Sequence, residues 1–471
     1  MIILKNYKFL LVVFLSAISF RSLLFYSGIF DPQYITHDSW EYIELANSIK
    51  NDLIFGIDGI PHMNRTPGYP FFLALIYFLF TDSQFFVTSI QIILDSVVCV
   101  LIALFCLKND FNKKVIYFCS FLSITCLYTS MYSYQVMTET LYTFLITFGF
   151  YLIFSNFNNN NNNILKTTNI KIIFSGLLFG SVILVRPIFS AIILLILIFL
   201  FVYIFLVKDS FAQRKKNILQ VLIFSISISV IVVPWMTRNY ILFNDEFKNN
   251  NNSATLLGYK TVIPTYRHWY TKEYVKFLRS FEEPFVQVRA EQPPVVVRYV
   301  YNNEQEDIKK AFSQLESEIN AGDQPLLKST LKEFSIIADK RYDESPRLYL
   351  TAPISRIIKM IVAPRISSLW KGTSGHNSSI VTILGFTLYN SIYMIGGLLG
   401  VLFGIIAFKT RLFSFSIFLI LGGHLFIYGL WVPNTQSRYL IPLFPLMIMS
   451  IGFLINNFLI KKNRIQFSIL G

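Results

Sequence analysis

The stretch Thr36–Pro70, THDSWEYIELANSIKNDLIFGIDGIPHMNRTPGYP, follows the first long apolar run and precedes the second. Tyr42, Leu45, Ala46 and Ile49 fall at i, i+3, i+4 and i+7, which predicts a short amphipathic helix with Glu41, Glu44, Asn47 and Ser48 facing away. A lone carboxylate, Asp38, opens it, and Glu41 three residues on completes a helix-start pattern. Trp40 and Tyr42 suit a helix lying at a membrane surface. Downstream, Arg65-Thr66-Pro67-Gly68-Tyr69-Pro70 reads as a rigid turn with one cation, so an acid and a base share one loop.

Working outward, the composition is that of a membrane protein. Of 471 residues, 54% are hydrophobic and 14% charged, against about a quarter charged in soluble domains. The net charge of +14 fits cytoplasmic loops of a membrane protein better than a nucleic-acid surface. Cys99, Cys106, Cys119 and Cys126 all lie in apolar runs and read as small core residues, not as a disulfide or metal set. The first apolar run has no small-residue cleavage site before Asp31, and reads as a retained helix.

A spanning helix needs ~20 mostly apolar residues. The candidates are 9–29, 85–107, 115–131, 138–155, 171–185, 188–207, 218–236, 380–407, 412–431 and 439–460; 70–80 is too short and reads as interfacial or re-entrant. With a cytoplasmic N-terminus, the short basic clusters around Lys5, Lys113, Lys166, Lys215, Lys409 and Lys461 all fall on the inner side, as the positive-inside rule demands. Asp38, Arg65, Glu139, Arg186, Arg238 and Arg438, from six separate places, then converge on the outer side. The fold class is all-α integral membrane. It has about ten transmembrane helices, interfacial helices in the first external loop, and a small external α or α/β insert.

The domains follow: a membrane region 1–244 with its first external loop 31–84, an external insert 245–378, and C-terminal membrane helices 379–471. Residues 156–163 are an Asn-dominated tract read as a disordered cytoplasmic loop, and Asn249–Asn252 repeats the bias outside. Within the insert, 303–320 and 324–340 read as helices, 284–301 as extended, and Ile354–Ile361 as an amphipathic segment on the membrane.

These residues together resemble a family, the GT-C membrane glycosyltransferases that use polyprenyl-phosphate sugars, of the protein mannosyltransferase and aminoarabinose transferase kind. Its pattern of an Asp, a Tyr four residues on, an Ala, and an R-x-P-G-Y-P-like turn is met by Asp38, Tyr42, Ala46 and Arg65–Pro70. Thr138-Glu139, Arg186-Pro187, Pro234-Trp235 with Arg238-Asn239-Tyr240, and Arg438-Tyr439 with Pro442 and Pro445 extend the likeness. It covers little of 245–375. Many relatives carry Asp-Glu where this chain has Asp38-Ser39, so a paired-acid mechanism is not carried over.

The resemblance implies an inverting transfer from a polyprenyl-phosphate sugar to an acceptor hydroxyl of a lipid, polysaccharide or protein. The site would lie on the external or periplasmic side of the plasma (inner) membrane. Such a reaction needs a base for the acceptor proton and cations for the departing phosphate. Asp38 is the candidate base, or else a helix cap. Arg65, Arg186, Arg238 and Arg438 are candidate phosphate ligands, or else interfacial arginines, with Lys371 a further cation. Glu139 is the second catalytic candidate, orienting a sugar hydroxyl or pairing with an arginine. Tyr42, Tyr69 and Tyr439 complete the substrate-binding set. Asp95, inside a membrane helix, is a functional group by default or a protonated acid bonded to Ser or Thr neighbours. His37, His62 and His268 leave room for a divalent cation, but no zinc-ligand spacing is present. No Walker loop or nucleotide-sugar fingerprint appears, so no cofactor is assigned and the donor would already be lipid-linked. The rival reading is a non-enzymatic transporter or flippase of lipid-linked sugars, for which no internal repeat is visible.

Overall fold

The structure, a computed structural model, describes residues 2–27, 37–63, 65–155, 168–206, 210–243, 257, 272–281, 305–320, 328–362, 380–406, 411–431 and 437–469. The chain runs through α1 (Ile2–Tyr26), α2 (His37–Asp52), the two-residue strands β1 (Gly56–Ile57) and β2 (Ile60–Pro61), then α3 (Gly68–Leu79) and α4 (Gln84–Lys108). There follow α5 (Lys113–Ile124), α6 (Leu127–Tyr132), α7 (Glu139–Phe154), α8 (Asn169–Val185), α9 (Phe189–Leu206) and α10 (Phe211–Leu242). The polar region contributes α11 (Lys272–Arg279), α12 (Gln305–Asn320), α13 (Lys328–Glu344) and α14 (Leu348–Val362). Last come α15 (Ile380–Ile406), α16 (Arg411–Phe426, continued as a π-helix over Ile427–Trp431), 3-10 turns at Ser437–Tyr439 and Ile441–Leu443, and α17 (Phe444–Ile469).

Among the described residues, eight helices are long and apolar enough to cross a membrane: Lys5–Tyr26, Gln84–Lys108, Lys113–Tyr132, Phe189–Leu206, Phe211–Leu242, Leu388–Ile406, Leu412–Leu430 and Ile441–Leu459. The expected spans 138–155 and 171–185 appear as α7 and α8, of 16 and 17 residues, each short of the ~20 that a perpendicular crossing takes. The chain is an all-α, multi-pass membrane protein. Segment 70–80 corresponds to α3 and its C-cap Phe80, a helix only 12 residues long. The expected helices 303–320 and 324–340 correspond to α12 and α13, and Ile354–Ile361 lies within α14. The readings of 156–163, 249–252 and 284–301, and those of His268 and Lys371, fall outside the described residues, as does the side chain of His37.

Apolar burial supplies most of the cohesion between α4, α7, α16 and α17. Phe105 stacks on Phe413 at 5.2 Å, and Phe453 meets Phe105, Phe111 and Phe413 within 4.8–5.7 Å, offset and edge-on as ring quadrupoles prefer. A second core of Tyr274, Phe277, Phe312 and Phe334 joins α11, α12 and α13.

The expected span 115–131 lies within Lys113–Tyr132, with a local interruption at 125–126. α5 ends at Ile124 and α6 begins at Leu127, because the freed carbonyls find other donors. Tyr389 donates to the Thr125 carbonyl at 2.6 Å, and Tyr393 to Leu122 at 3.0 Å. Arg21 reaches the carbonyls of Ile124 and Ser123 at 3.3 and 3.5 Å. The same guanidinium corrects the reading of Asp95. Instead of a neutral acid bonded to Ser or Thr, Asp95 Oδ2 accepts from Arg21 Nε at 2.7 Å, both side chains fully buried. A charge pair costs less in the interior than one bare carboxylate, which is why the arginine is there.

The first loop folds back on itself. Asp58 and Gly59 both have positive φ, 52° and 75°, giving a two-residue hairpin turn between β1 and β2. Pro67 then precedes α3, so the second half of the expected rigid turn is the first turn of a helix. Gly68 approaches the end of α8 so closely that a Cβ there would lie 2.7 Å from the Leu184 backbone. Thr66 Oγ1 adds a contact to the Val185 carbonyl at 3.5 Å. This docking sets the turn Thr66–Gly68 against the α8–α9 break.

Candidate active site

One face of helix α2 carries acidic as well as apolar groups. Leu45 and Ala46 are buried, and the same stripe continued toward the N-terminus takes in Tyr42, Glu41 and Asp38. Glu41, expected to face away, is 6% exposed. Its Oε2 accepts from Arg65 Nε at 2.6 Å, and its Oε1 lies 2.9 Å from His62 Nε2. So Asp38 is not a lone carboxylate. The polar exterior assigned to Glu41 fails because the hairpin folds His62 and Arg65 over it. Asp38 lies within the first turn of α2. Its Oδ1 accepts from Arg65 Nη2 at 2.6 Å, and its Oδ2 faces Arg438 Nη2 at 3.6 Å. The Asp38 side chain keeps 33% of its surface open.

Arg186 occupies the break between α8 and α9. Its Nη2 is 2.7 Å from Glu139 Oε1, and its Nε donates to Thr138 Oγ1 at 3.0 Å. The guanidinium sits over Tyr142 at 5.2 Å and Tyr439 at 5.6 Å. Arg438 covers the other part of Tyr439 at 5.1 Å and donates to its hydroxyl at 3.2 Å. Tyr428, on the π-helical turn, stacks on Tyr439 at 4.0 Å. Below, Tyr142 Oη and His424 Nε2 are 2.9 Å apart, and His424 Nδ1 lies 2.7 Å from the Ile420 carbonyl. A carbonyl only accepts, so Nδ1 carries a proton and donates to Ile420.

The structure therefore brings Asp38, Arg65, Glu139, Arg186, Arg438, Tyr42 and Tyr439 into one connected cluster; Arg65 lies over Tyr42 at 5.1 Å. Two expected ligands sit differently. Tyr69 is 1% exposed and donates to Gln91 Oε1 at 3.0 Å, packing edge-on against Tyr42 from below. Arg238 donates to the carbonyls of Phe55 and His62 at 2.9 and 2.8 Å, packed against Trp235, so it clamps the hairpin. Glu41, Tyr142, His424 and Tyr428 were not anticipated. For Glu41 the signal was present, since i and i+3 spacing places it with Asp38. The contacts of the other three span breaks that no periodicity reports.

Three carboxylates and three guanidiniums meet here. Nη1 of Arg186 and Nε of Arg438 are buried and have no hydrogen-bond partner among the described residues. Buried N–H groups of this kind cost free energy unless an acceptor arrives. An anion with several oxygens is the matching ligand. Among the described residues no group of three or more His, Cys, Asp or Glu could hold a metal ion.

The Glu41 carboxyl is pushed up by burial, but the His62 hydrogen bond and the Arg65 guanidinium pull harder and hold it below its ordinary value. A lowered folded pKa means that its stabilisation is present above the unfolded value of about 4.3 and is lost as pH falls through the folded one. Thermal unfolding of wild type and Glu41→Gln across pH should show a gap at neutral pH that closes in acid. A gap independent of pH would contradict the ionic role of Glu41.

The fold is GT-C-like, an all-α membrane architecture. It is similar to the archaeal oligosaccharyltransferase AglB from Archaeoglobus fulgidus, solved with an inhibitory peptide and a dolichol-phosphate. The identity is 13% and the TM-score 0.50, over 99% of this chain and 52% of that one. The chain thus spans about half the length of that protein. ArnT from Cupriavidus metallidurans, in the apo state, aligns at 13% identity and a TM-score of 0.37, over 96% of this chain and 77% of that one. No family model matches the chain, and no curated protein matches it.

Proposed function

We propose that this chain is a membrane glycosyltransferase. It moves a sugar from a polyprenyl-phosphate donor to an acceptor hydroxyl, with inversion, at the external face of the plasma (inner) membrane. The observation that carries this reading is the pair of buried N–H groups on Arg186 and Arg438 that meet no acceptor among the described residues, beside the partly open carboxylate of Asp38. The GT-C-like fold and the dolichol-phosphate in the AglB complex support a lipid phosphate as the anion.

In this reading the phosphate takes N–H groups of Arg186 and Arg438 and competes with Asp38 for Arg65. The Asp38 carboxylate, so released, faces the acceptor. It accepts the hydroxyl proton as the oxygen attacks the anomeric carbon, while the bond from that carbon to the phosphate oxygen breaks. The phosphate leaves with its charge held by guanidiniums already in place, so no protonated acid is required. Glu139 fixes Arg186, and Glu41 fixes Arg65, each by an ion pair that orients the fork.

Replacing a phosphate ligand by Lys keeps the charge and loses the fork. Arg186→Lys and Arg438→Lys should each weaken binding of a polyprenyl-phosphate sugar by ~1.5–3 kcal/mol, the scale of a charged hydrogen bond. Arg65→Lys should weaken it less, and Arg238→Lys should act through the hairpin. Equilibrium binding of a labelled donor to purified protein is the measurement. Donor affinity like wild type in all four variants would remove the clamp.

A further inference from the structure

The π-helical turn Ile427–Trp431 closes the membrane helix that starts at Arg411, and it has a support outside that helix. Single π turns inside helices recur at functional sites, where they re-aim a side chain. This turn carries Tyr428, whose ring is stacked on Tyr439. Tyr439 in turn lies beneath Arg186 and Arg438.

The support is a single buried guanidinium. Arg356, on α14, is 2% exposed. Its Nε donates to the Gly429 carbonyl at 2.8 Å. Its Nη1 donates to the carbonyls of Arg279 and Phe281 at 3.0 and 2.6 Å. Those two carbonyls are the last residue of α11 and the chain just beyond it. One cation thus closes the C-terminal ends of two helices, where both the orphan carbonyls and the helix dipole favour positive charge. One helix belongs to the polar region and the other to the membrane bundle. The approach is close: a Cβ on Gly429 would lie 2.6 Å from the Ile357 side chain.

We infer that Arg356 is a positioning residue for the transfer site: it fixes the π turn, and through Tyr428 and Tyr439 it registers the external helices onto Arg186 and Arg438. This rests on the transferase reading above. The geometry also sets a direction. Movement of α11 pulls on Arg356, and the pull reaches the phosphate ligands through two stacked rings.

The test compares purified wild type with Arg356→Gln and Arg356→Lys by hydrogen–deuterium exchange and by turnover per folded molecule. In Arg356→Gln, exchange should quicken by about tenfold or more not only at 272–281 but also at 427–431 and 437–443, with 305–320 unchanged. Its kcat should fall by about tenfold or more, and Arg356→Lys, which still supplies a cation, should recover part of both. Faster exchange confined to 272–281, or no change at all, would overturn the inference, as would propagated exchange with kcat intact. If wild type transfers no sugar, the transferase reading fails by itself, and the exchange at 437–443 still decides whether Arg356 reaches Tyr439.

Discussion

Asp38→Asn should lose turnover by ~10²–10⁴-fold, the usual contribution of a positioned general base, while remaining folded and able to bind donor. Asn matches Asp in size, and its amide oxygen can still accept from Arg65 Nη2. What it cannot do is take the acceptor proton. The stability cost should stay within about 1 kcal/mol, because the Asp38 side chain is one-third open and its ion pairs are partly screened. Asp38→Ala is less informative, since it removes the base and the Arg65 partner together. Turnover, donor affinity and thermal unfolding measured on the same Asp38→Asn preparation separate the roles. Full activity would leave Asp38 as a structural anchor for Arg65 and move the base to Glu139.

Arg21→Met should be the most destabilising change away from the site, by ~3–5 kcal/mol, because it leaves the Asp95 carboxylate buried without its cation. It also strips the donors that reach Ile124 and Ser123 at the break after α5. The double variant Arg21→Met/Asp95→Leu should recover much of the loss, since well-packed apolar groups in place of a buried pair are often neutral. Thermal unfolding in one detergent gives the comparison. A double variant no better than the single one would mean that the capped carbonyls, and not Asp95, account for the cost.

Hydropathy made the long helices legible because a bilayer imposes a length and a composition on each one separately. The convergence of Asp38, Arg65, Glu139, Arg186 and Arg438 was legible too, since each sits at a helix end and the basic loops orient all the ends at once. Glu41 was within reach: the stripe of Tyr42, Leu45, Ala46 and Ile49, continued one turn back, includes it. The Asp58-Gly59 pair likewise signals a hairpin. Arg21 with Asp95 was not legible, because the two lie 74 residues apart on helices whose pairing no local pattern encodes. The same holds for Arg356, whose role depends on three carbonyls from two distant segments. Tyr69 and Arg238 had the residue type expected of ligands, but burial and backbone partners gave them other work.

Sugar transfer itself is tested most directly by incubating the purified protein with a panel of polyprenyl-phosphate sugars and lipid, polysaccharide and protein acceptors, followed by mass analysis. Transfer predicts that one donor yields free polyprenyl phosphate and a glycosylated acceptor of opposite anomeric configuration, and that neither forms with Asp38→Asn. Intact donors with every acceptor, together with movement of the same lipids across a vesicle bilayer, would contradict transfer and identify a transporter.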